Sequence, residues 1–213
     1  QISPAEFIPI LEESGLILPV GKWIIRKAAD MCRACREKYP EFRVSINLSY
    51  IQLTKGPVFA EVMEALKETG LPPDALIMEL TESGYLENSV NVQTVWHKFK
   101  EAGIQIALDD FGTGYSNLQN IGLFNPDIVK IDRSFTLRAL QHSYERQLLS
   151  HIINMVHSIN LRIVIEGVEE KEEQQQVLLL GSDFIQGYYY SRPCSREAFL
   201  RKYRIEEAKE SRP

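Results

Sequence analysis

The sequence predicts a parallel α/β fold, a TIM-type (β/α)8-like barrel lacking its N-terminal strand or strands, with about six strand–helix units present. Three observations predict it. Short runs rich in Ile, Val and Leu alternate with amphipathic stretches of helical period. Those runs lack polar alternation, which marks strands covered on both faces. Each run ends in a polar residue able to hold a metal or move a proton, and in a parallel barrel the strand C-termini share one face.

The elements follow in order. Ser3 as cap, Pro4 at the first position and Glu6 at the third open a helix, Phe7, Ile8, Ile10 and Leu11 give it an apolar side, and Gly15 stops it. A second helix is expected over about 20–37, with Trp23, Ile24, Ala28, Met31 and Cys32 at helical spacing. The strand at 42–47 ends in Asn47 and precedes a helix near 57–69 closed by Gly70. Pro72 and Pro73 break the chain before the strand at 75–80, which carries Glu79, with Glu82 three residues on. A helix near 88–102 is closed by Gly103. The strand at 104–109 runs into Asp109-Asp110, the glycine-rich loop Phe111-Gly112-Thr113-Gly114-Tyr115-Ser116 and a short helical piece near 116–122. The strand at 127–131 carries Lys130, then Asp132, and leads to a helix near 141–159. The strand at 162–166 ends in Glu166, with Glu169 beyond it, before a helix near 170–180 closed by Gly181. The strand at 183–187 carries Gln186 and leads to a short helix near 195–203. One domain is expected over 1–204, followed by a charged tail at 205–213.

A closed barrel needs eight strands and typically about 250 residues, so this chain is about 40 short and an N-terminal portion is expected to precede it. An open doubly wound sheet is the other arrangement. No Gly-x-Gly-x-x-Gly follows the first strand to favour it.

Composition narrows the function. Hydrophobic residues make up 44% of the 213 and charged residues 25%, as in an ordinary globular protein. A net charge of −5 argues against a nucleic acid polymer as partner. It does not argue against an anionic substrate, because bound cations reverse local charge. No run approaches the roughly 20 apolar residues of a membrane span, and no signal peptide pattern is present. The segment is expected to be cytoplasmic without membrane contact, in a parent protein that is compatible with tethering. The 3 cysteines do not make a disulfide framework. Cys32 and Cys35 form a lone C-x-x-C in a helical pattern and read as helix thiols.

The strand-end residues carry the chemistry. Asp109-Asp110 is the strongest local signal. Where the backbone turns at a strand end, both carboxylates can reach the mouth and serve a pair of cations, with helix capping or a turn as the structural alternative. Gly112, Thr113 and Gly114 suit a loop folding tightly over a ligand. Asn47 offers a neutral oxygen to a hard cation, or is a turn residue. Glu79 at the end of an apolar strand needs a cation or an arginine to offset burial. Glu82 suits a loop organiser or a solvated charge. Lys130, between apolar neighbours, either pairs with Asp132 or Glu166 or neutralises developing phosphate charge. Glu166 is the candidate general base. Gln186 suits a pocket hydrogen bond or a strand-end cap. Tyr188-Tyr189-Tyr190 suits an aromatic wall or plain strand alternation.

Together, Ser3-Pro4-Ala5-Glu6-Phe7-Ile8-Pro9, Asn47-Leu48-Ser49, Glu79-Leu80-Thr81-Glu82-Ser83, Asp109 to Ser116, Lys130-Ile131-Asp132, Glu166-Gly167-Val168-Glu169 and Gln186-Gly187-Tyr188 resemble the EAL-domain phosphodiesterases of bacterial cyclic di-GMP signalling. The resemblance spans about 1–203. It implies a barrel enzyme that hydrolyses cyclic di-GMP to linear pGpG with Mg2+ or Mn2+ in a two-metal site. It implies Asn47, Glu79 and Asp109 as ligands of one metal and Asp109 and Asp110 as ligands of the other. Lys130 and Glu166 orient and deprotonate water, and Glu82 anchors the 110–121 loop, which in the family also couples to a homodimer. Gln186 completes a pocket to which Asp132, Glu169, Gly112, Thr113 and Gly114 are also assigned. Sensor or cyclase domains are the expected neighbours in the parent protein. The Glu-Ala-Leu motif that names the family is not in this chain, and with it go a metal-binding Glu and a substrate-binding Arg. This chain alone is therefore expected to bind metal poorly. A non-catalytic cyclic di-GMP receptor is the second reading, and an unrelated metal-dependent barrel such as a lyase or isomerase is the third.

Overall fold

A computed structural model describes residues 2–81, 90–113, 121–122 and 124–205. The expectations for Glu82, for Gly114 to Ser116 and for most of the helical piece near 116–122 lie outside these residues, as does the charged tail from 206 on.

The six strands form one sheet whose order is the chain order, β1 to β6. They are β1 (Val44–Asn47), β2 (Leu76–Thr81), β3 (Gln105–Phe111), β4 (Ile128–Ile131), β5 (Arg162–Glu166) and β6 (Phe184–Gln186). β3, β4, β5 and β6 pair in parallel, with Val129 between Leu108 and Ile163, and Ile165 beside Ile185. An order that never reverses is that of a β/α barrel and leaves no switch point of the doubly wound kind. β4 is buried at every position. β1 and β6 are not, because each stands at an end of the strand order with one neighbour. The expectation of cover on both faces therefore holds for β3 and β4, weakens in β5, where burial alternates, and fails at the ends of the sheet.

The chain divides into two compact units, Gln1–Met78 with Asn88–Gln105 and Cys194–Pro213, and Glu79–Glu87 with Ile106–Pro193. In the first unit, α1 (Pro4–Ser14) carries Pro4 at its first turn and ends at Gly15, whose φ of 75° lets its N–H close the helix on the Glu12 carbonyl. Ser3 makes no side-chain cap, and no α1 residue is buried. α2 (Ile17–Arg36) starts three residues earlier than expected. Its Ile25, Ala29 and Cys32 pack in the core, as do Val62, Ala65 and Leu66 of α4 (Val58–Thr69). The helix α3 (Tyr50–Lys55) was not expected. It is too short for a periodic signal and is specified by its ends. Ser49 and Gln52 form a reciprocal capping box, and Gln52 is buried against Gly21, where a Cβ would lie 2.1 Å from Gln52 Nε2. α5 (Val90–Glu101) contributes Trp96 and Phe99, and the Phe99 ring meets Phe59 at 5.6 Å. A smaller cluster joins Cys35 to Leu200 and Ile205 around the last helix, α9 (Arg196–Lys202), so Ile205 belongs to the packed chain rather than to a tail.

In the second unit, the helix expected over 141–159 is α7 (Ser143–Ser158), and a further helix that was not expected, α6 (Arg133–Gln141), precedes it, the two separated by an extended His142. Arg146 bridges the joint by donating to the carbonyls of Ala139 and Leu140. α8 (Lys171–Leu179) is capped by Glu170 and Glu173. At the strand beginnings, two aspartates lock neighbours together. Asp127 accepts the Ile106 N–H at 2.9 Å, and Asp183 accepts the Ile163 N–H at 2.7 Å. Among the described residues no helix is long and apolar enough to cross a membrane.

Candidate active site

Four consecutive strands each deliver one ionisable side chain to the same place. Glu79 comes from β2, Asp109 from β3, Lys130 from β4 and Glu166 from the last position of β5. Lys130 Nζ lies 2.8 Å from Glu79 Oε2, 3.0 Å from Asp109 Oδ1 and 2.7 Å from Glu166 Oε1. Glu79, Asp109 and Lys130 are buried. The contact with Glu79 is a hydrogen bond donated by the ammonium. Glu166 Oε1 is held by the ion contact with the ammonium. Lys130 therefore pairs with Glu166, as one expectation had it, and also with Glu79 and Asp109. Asp132 instead caps α6, accepting the Ser134 N–H at 2.8 Å.

The Asp-Asp pair is placed by a mechanism that the sequence did not reveal. β3 does not end at Asp109 but runs on to Phe111. Its register with β4 slips there: Leu108 faces Val129 and Phe111 faces Ile131, so Asp109 and Asp110 together stand against Lys130. Two residues against one is a β-bulge, which re-aims side chains beside a site. Asp110 carries the cost as a left-handed φ of 59°. Its N–H donates to Asp109 Oδ1 at 3.0 Å, which leaves that carboxylate shared between the bulge and the lysine. Gly112 follows with a φ of 102°, and a Cβ there would press on Phe135 at 3.0 Å.

Charge is unbalanced in this cluster. Burial alone would lower the Lys130 pKa, but Glu79, Asp109 and Glu166 outweigh it and hold the ammonium above the usual lysine range. Glu166 moves the other way from a typical paired carboxylate. Its burial raises the pKa, Lys130 opposes that, and the Asp109 and Glu79 charges add to the rise. Three carboxylates face one ammonium. All three carboxylates are hard oxygen donors, and their excess negative charge suits a hard divalent cation. Among the described residues no three acidic, histidine or thiol side chains stand ready as a ligand cluster, because the Lys130 ammonium lies between them.

The remaining expected residues fall as follows. Asn47 closes β1 in the first unit and is exposed. Gln186 closes β6, beside Glu166 in the register, and is exposed. Glu169 pairs with Arg133 at 2.5 Å, a partner sequence reasoning did not name. Thr113 donates to the Asp110 carbonyl at 3.1 Å. Tyr188, Tyr189 and Tyr190 are all exposed, and the Arg192 guanidinium lies 4.5 Å from the Tyr188 ring centre.

Fold and site define a parallel α/β protein of barrel topology with a buried lysine ringed by carboxylates at its strand ends. The chain belongs to the EAL domain family, whose model matches residues 1–193. It is 37% identical over 196 residues to Signaling protein YkoW of Bacillus subtilis, covering 92% of this chain and 24% of YkoW. It is 34% identical over 203 residues to Cyclic di-GMP phosphodiesterase PdeR of Escherichia coli, covering 95% of this chain and 31% of PdeR. Among solved structures, that described as PaMucR Phosphodiesterase, c-di-GMP complex matches with a TM-score of 0.85 at 32% identity, over 93% of this chain and 81% of that one. The chain spans about a quarter to a third of the length of these curated relatives.

Proposed function

We propose that this chain forms the catalytic part of a metal-dependent phosphodiesterase that opens cyclic di-GMP to linear pGpG. The observation that carries the reading is the Lys130 cluster, in which Glu79, Asp109 and Glu166 from three other strands surround one buried ammonium. Relatives named as cyclic di-GMP phosphodiesterases support the substrate.

Glu79, Asp109 and Asp110 would hold the cations, and the resemblance adds Asn47 as a neutral oxygen donor. When bound, Mg2+ or Mn2+ supplies Lewis acidity toward the phosphodiester. Glu166 takes the proton from the attacking water. Its raised pKa brings it nearer to working pH, where a general base is most effective. Lys130 orients Glu166 and offsets the negative charge that builds on phosphorus-bound oxygen. Gln186, beside Glu166 on the next strand, serves the pocket, as do Asp132, Gly112, Thr113 and the loop through Gly114. A cytoplasmic location, a homodimer and neighbouring sensor or cyclase domains belong to the same reading, and relatives three to four times as long as this chain support the further domains.

The test is incubation of the full-length protein with cyclic di-GMP and Mg2+ or Mn2+, followed by chromatography. Formation of pGpG that stops on chelation and in Glu166→Gln supports the reading. Tight binding without product would replace it with the receptor reading, and indifference to cyclic dinucleotides would end both.

A further inference from the structure

The Lys130–Glu166 contact has a second pair beside it at the same spacing. Three residues further along each segment, Arg133 Nη2 lies 2.5 Å from Glu169 Oε1. β4 and β5 are parallel neighbours, with Lys130 beside Val164 and Ile131 beside Ile165, so the two segments leave the sheet in step. The inner pair joins a buried lysine to a half-buried glutamate, and the outer pair is more exposed. Between them lies Gly167, in the left-handed region at φ 79°. A Cβ on Gly167 would sit 2.1 Å from Arg133 Cγ and 2.6 Å from Arg133 Cβ, so the arginine stem lies directly across this turn.

The far side of the turn is held as well. Val168 donates its N–H to the Gln186 carbonyl, and Val168 O accepts from Tyr189. Glu173 accepts the N–H groups of Glu169 and Glu170 at 2.7 and 3.1 Å. Arg133 closes the turn from the β4 side. This matters for Glu166 because Lys130 is the one side chain that the described contacts place against its carboxylate. Lys130 holds Glu166 Oε1 by charge, and the backbone from which the carboxylate projects sets the rest of its direction.

We propose that Arg133 is a positioning residue for Glu166, its stem and its ion pair with Glu169 clamping the turn at 167–169 that fixes where the carboxylate points. The inference rests on the catalytic reading above. A partly exposed ion pair adds little to global stability, so the clamp acts on placement more than on folding. Small displacements of a reacting group cost large factors in rate.

The test compares Arg133→Ala, Glu169→Arg and the reversed pair Arg133→Glu with Glu169→Arg in the full-length protein. Each single change should lower kcat by about tenfold to a hundredfold with KM shifted by less than about twofold. Melting temperature should stay close to wild type, and amide exchange at Gly167 and Val168 should quicken. The reversed pair should recover most of kcat and slow the exchange again. Arg133→Ala with wild-type kcat and exchange would overturn the clamp, as would a reversed pair no better than either single change. A wild type without turnover, whose Gly167 and Val168 amides still quicken in Arg133→Ala, would overturn the catalytic reading and support the clamp.

Discussion

Lys130 Nζ stands 2.7 Å from Glu166 Oε1 while also donating to Glu79 and contacting Asp109. One ammonium thus offsets three carboxylates that came from different strands. Charges of this kind are tolerated in a buried site only when paired, and removing one partner leaves the others uncompensated. Lys130→Ala should therefore destabilise the protein by about 3–5 kcal/mol at neutral pH in metal-free buffer. The loss should shrink as pH falls, because the stranded carboxylates take up protons and become neutral. Urea unfolding at two pH values measures both. A variant as stable as wild type at pH 7 would show that solvent already screens the cluster.

Glu166→Gln should have the opposite effect on folding. Burial, with help from Asp109 and Glu79, raises the Glu166 pKa against the pull of Lys130. A folded-state pKa above the unfolded one means that the ionised group costs stability. That cost is present in full above the raised pKa, and it is relieved as pH falls toward the ordinary glutamate value near 4.3. In metal-free buffer at pH 7 the amide should melt at or above the wild-type temperature, with the difference closing as pH falls. Turnover should drop by about a hundredfold to ten-thousandfold, the usual span for a general base. A clear loss of thermal stability would mean that the ion contact with Lys130 outweighs burial.

Much of this was legible in the sequence because strand-end polarity is a local signal. Glu79, Asp109, Lys130 and Glu166 each interrupt an apolar run at its end, and parallel strands in chain order bring such positions together. What was not legible depended on pairing. Nothing in Leu108-Asp109-Asp110-Phe111 announces that β3 continues through a bulge, since the bulge exists only relative to the register of β4. The helix α6 at 133–141 was not legible because its start is set by Asp132, which the strand-end pattern assigned to the site and which in the structure caps the helix by accepting the Ser134 N–H. Arg133 carried no strand-end signal at all. Its place is set by Gly167, 34 positions away, where the absence of a Cβ makes room for its stem.

Gly187 gives a sharper test of close packing. A Cβ there would lie 2.0 Å from Val168 O and 2.5 Å from Val168 N. These are backbone atoms in a turn fixed by the Val168–Gln186 and Tyr189–Val168 hydrogen bonds, so they cannot yield as a side chain would. Gly187→Ala should cost about 1–3 kcal/mol, as overpacking does. It should also lower turnover more than its stability loss explains, because the same turn follows Glu166. Chemical denaturation with parallel activity measurement separates the two effects. An alanine variant of wild-type stability would mean that the turn relaxes freely.

The three thiols should divide by burial. Cys32 and Cys35 are buried on α2, and Cys194 is exposed. Burial pushes the Cys32 pKa up to about 11 against the lowering effect of Arg36, and burial also raises Cys35. The Cys32 Sγ lies near the carbonyls of Phe42 and Ala75, which favour the protonated thiol. Since the thiolate is the nucleophile, a disulfide reagent at pH 8 should label Cys194 quickly and the α2 pair only on unfolding. The same shift sets an alkaline limit. Above about pH 8.5 the unfolded chain releases its thiol protons while folded Cys32 keeps its own. Stability must then fall between that pH and about 11, and level off beyond it. Cys32→Ser should flatten that part of the pH–stability curve. An unchanged slope would assign the alkaline loss to groups other than this thiol.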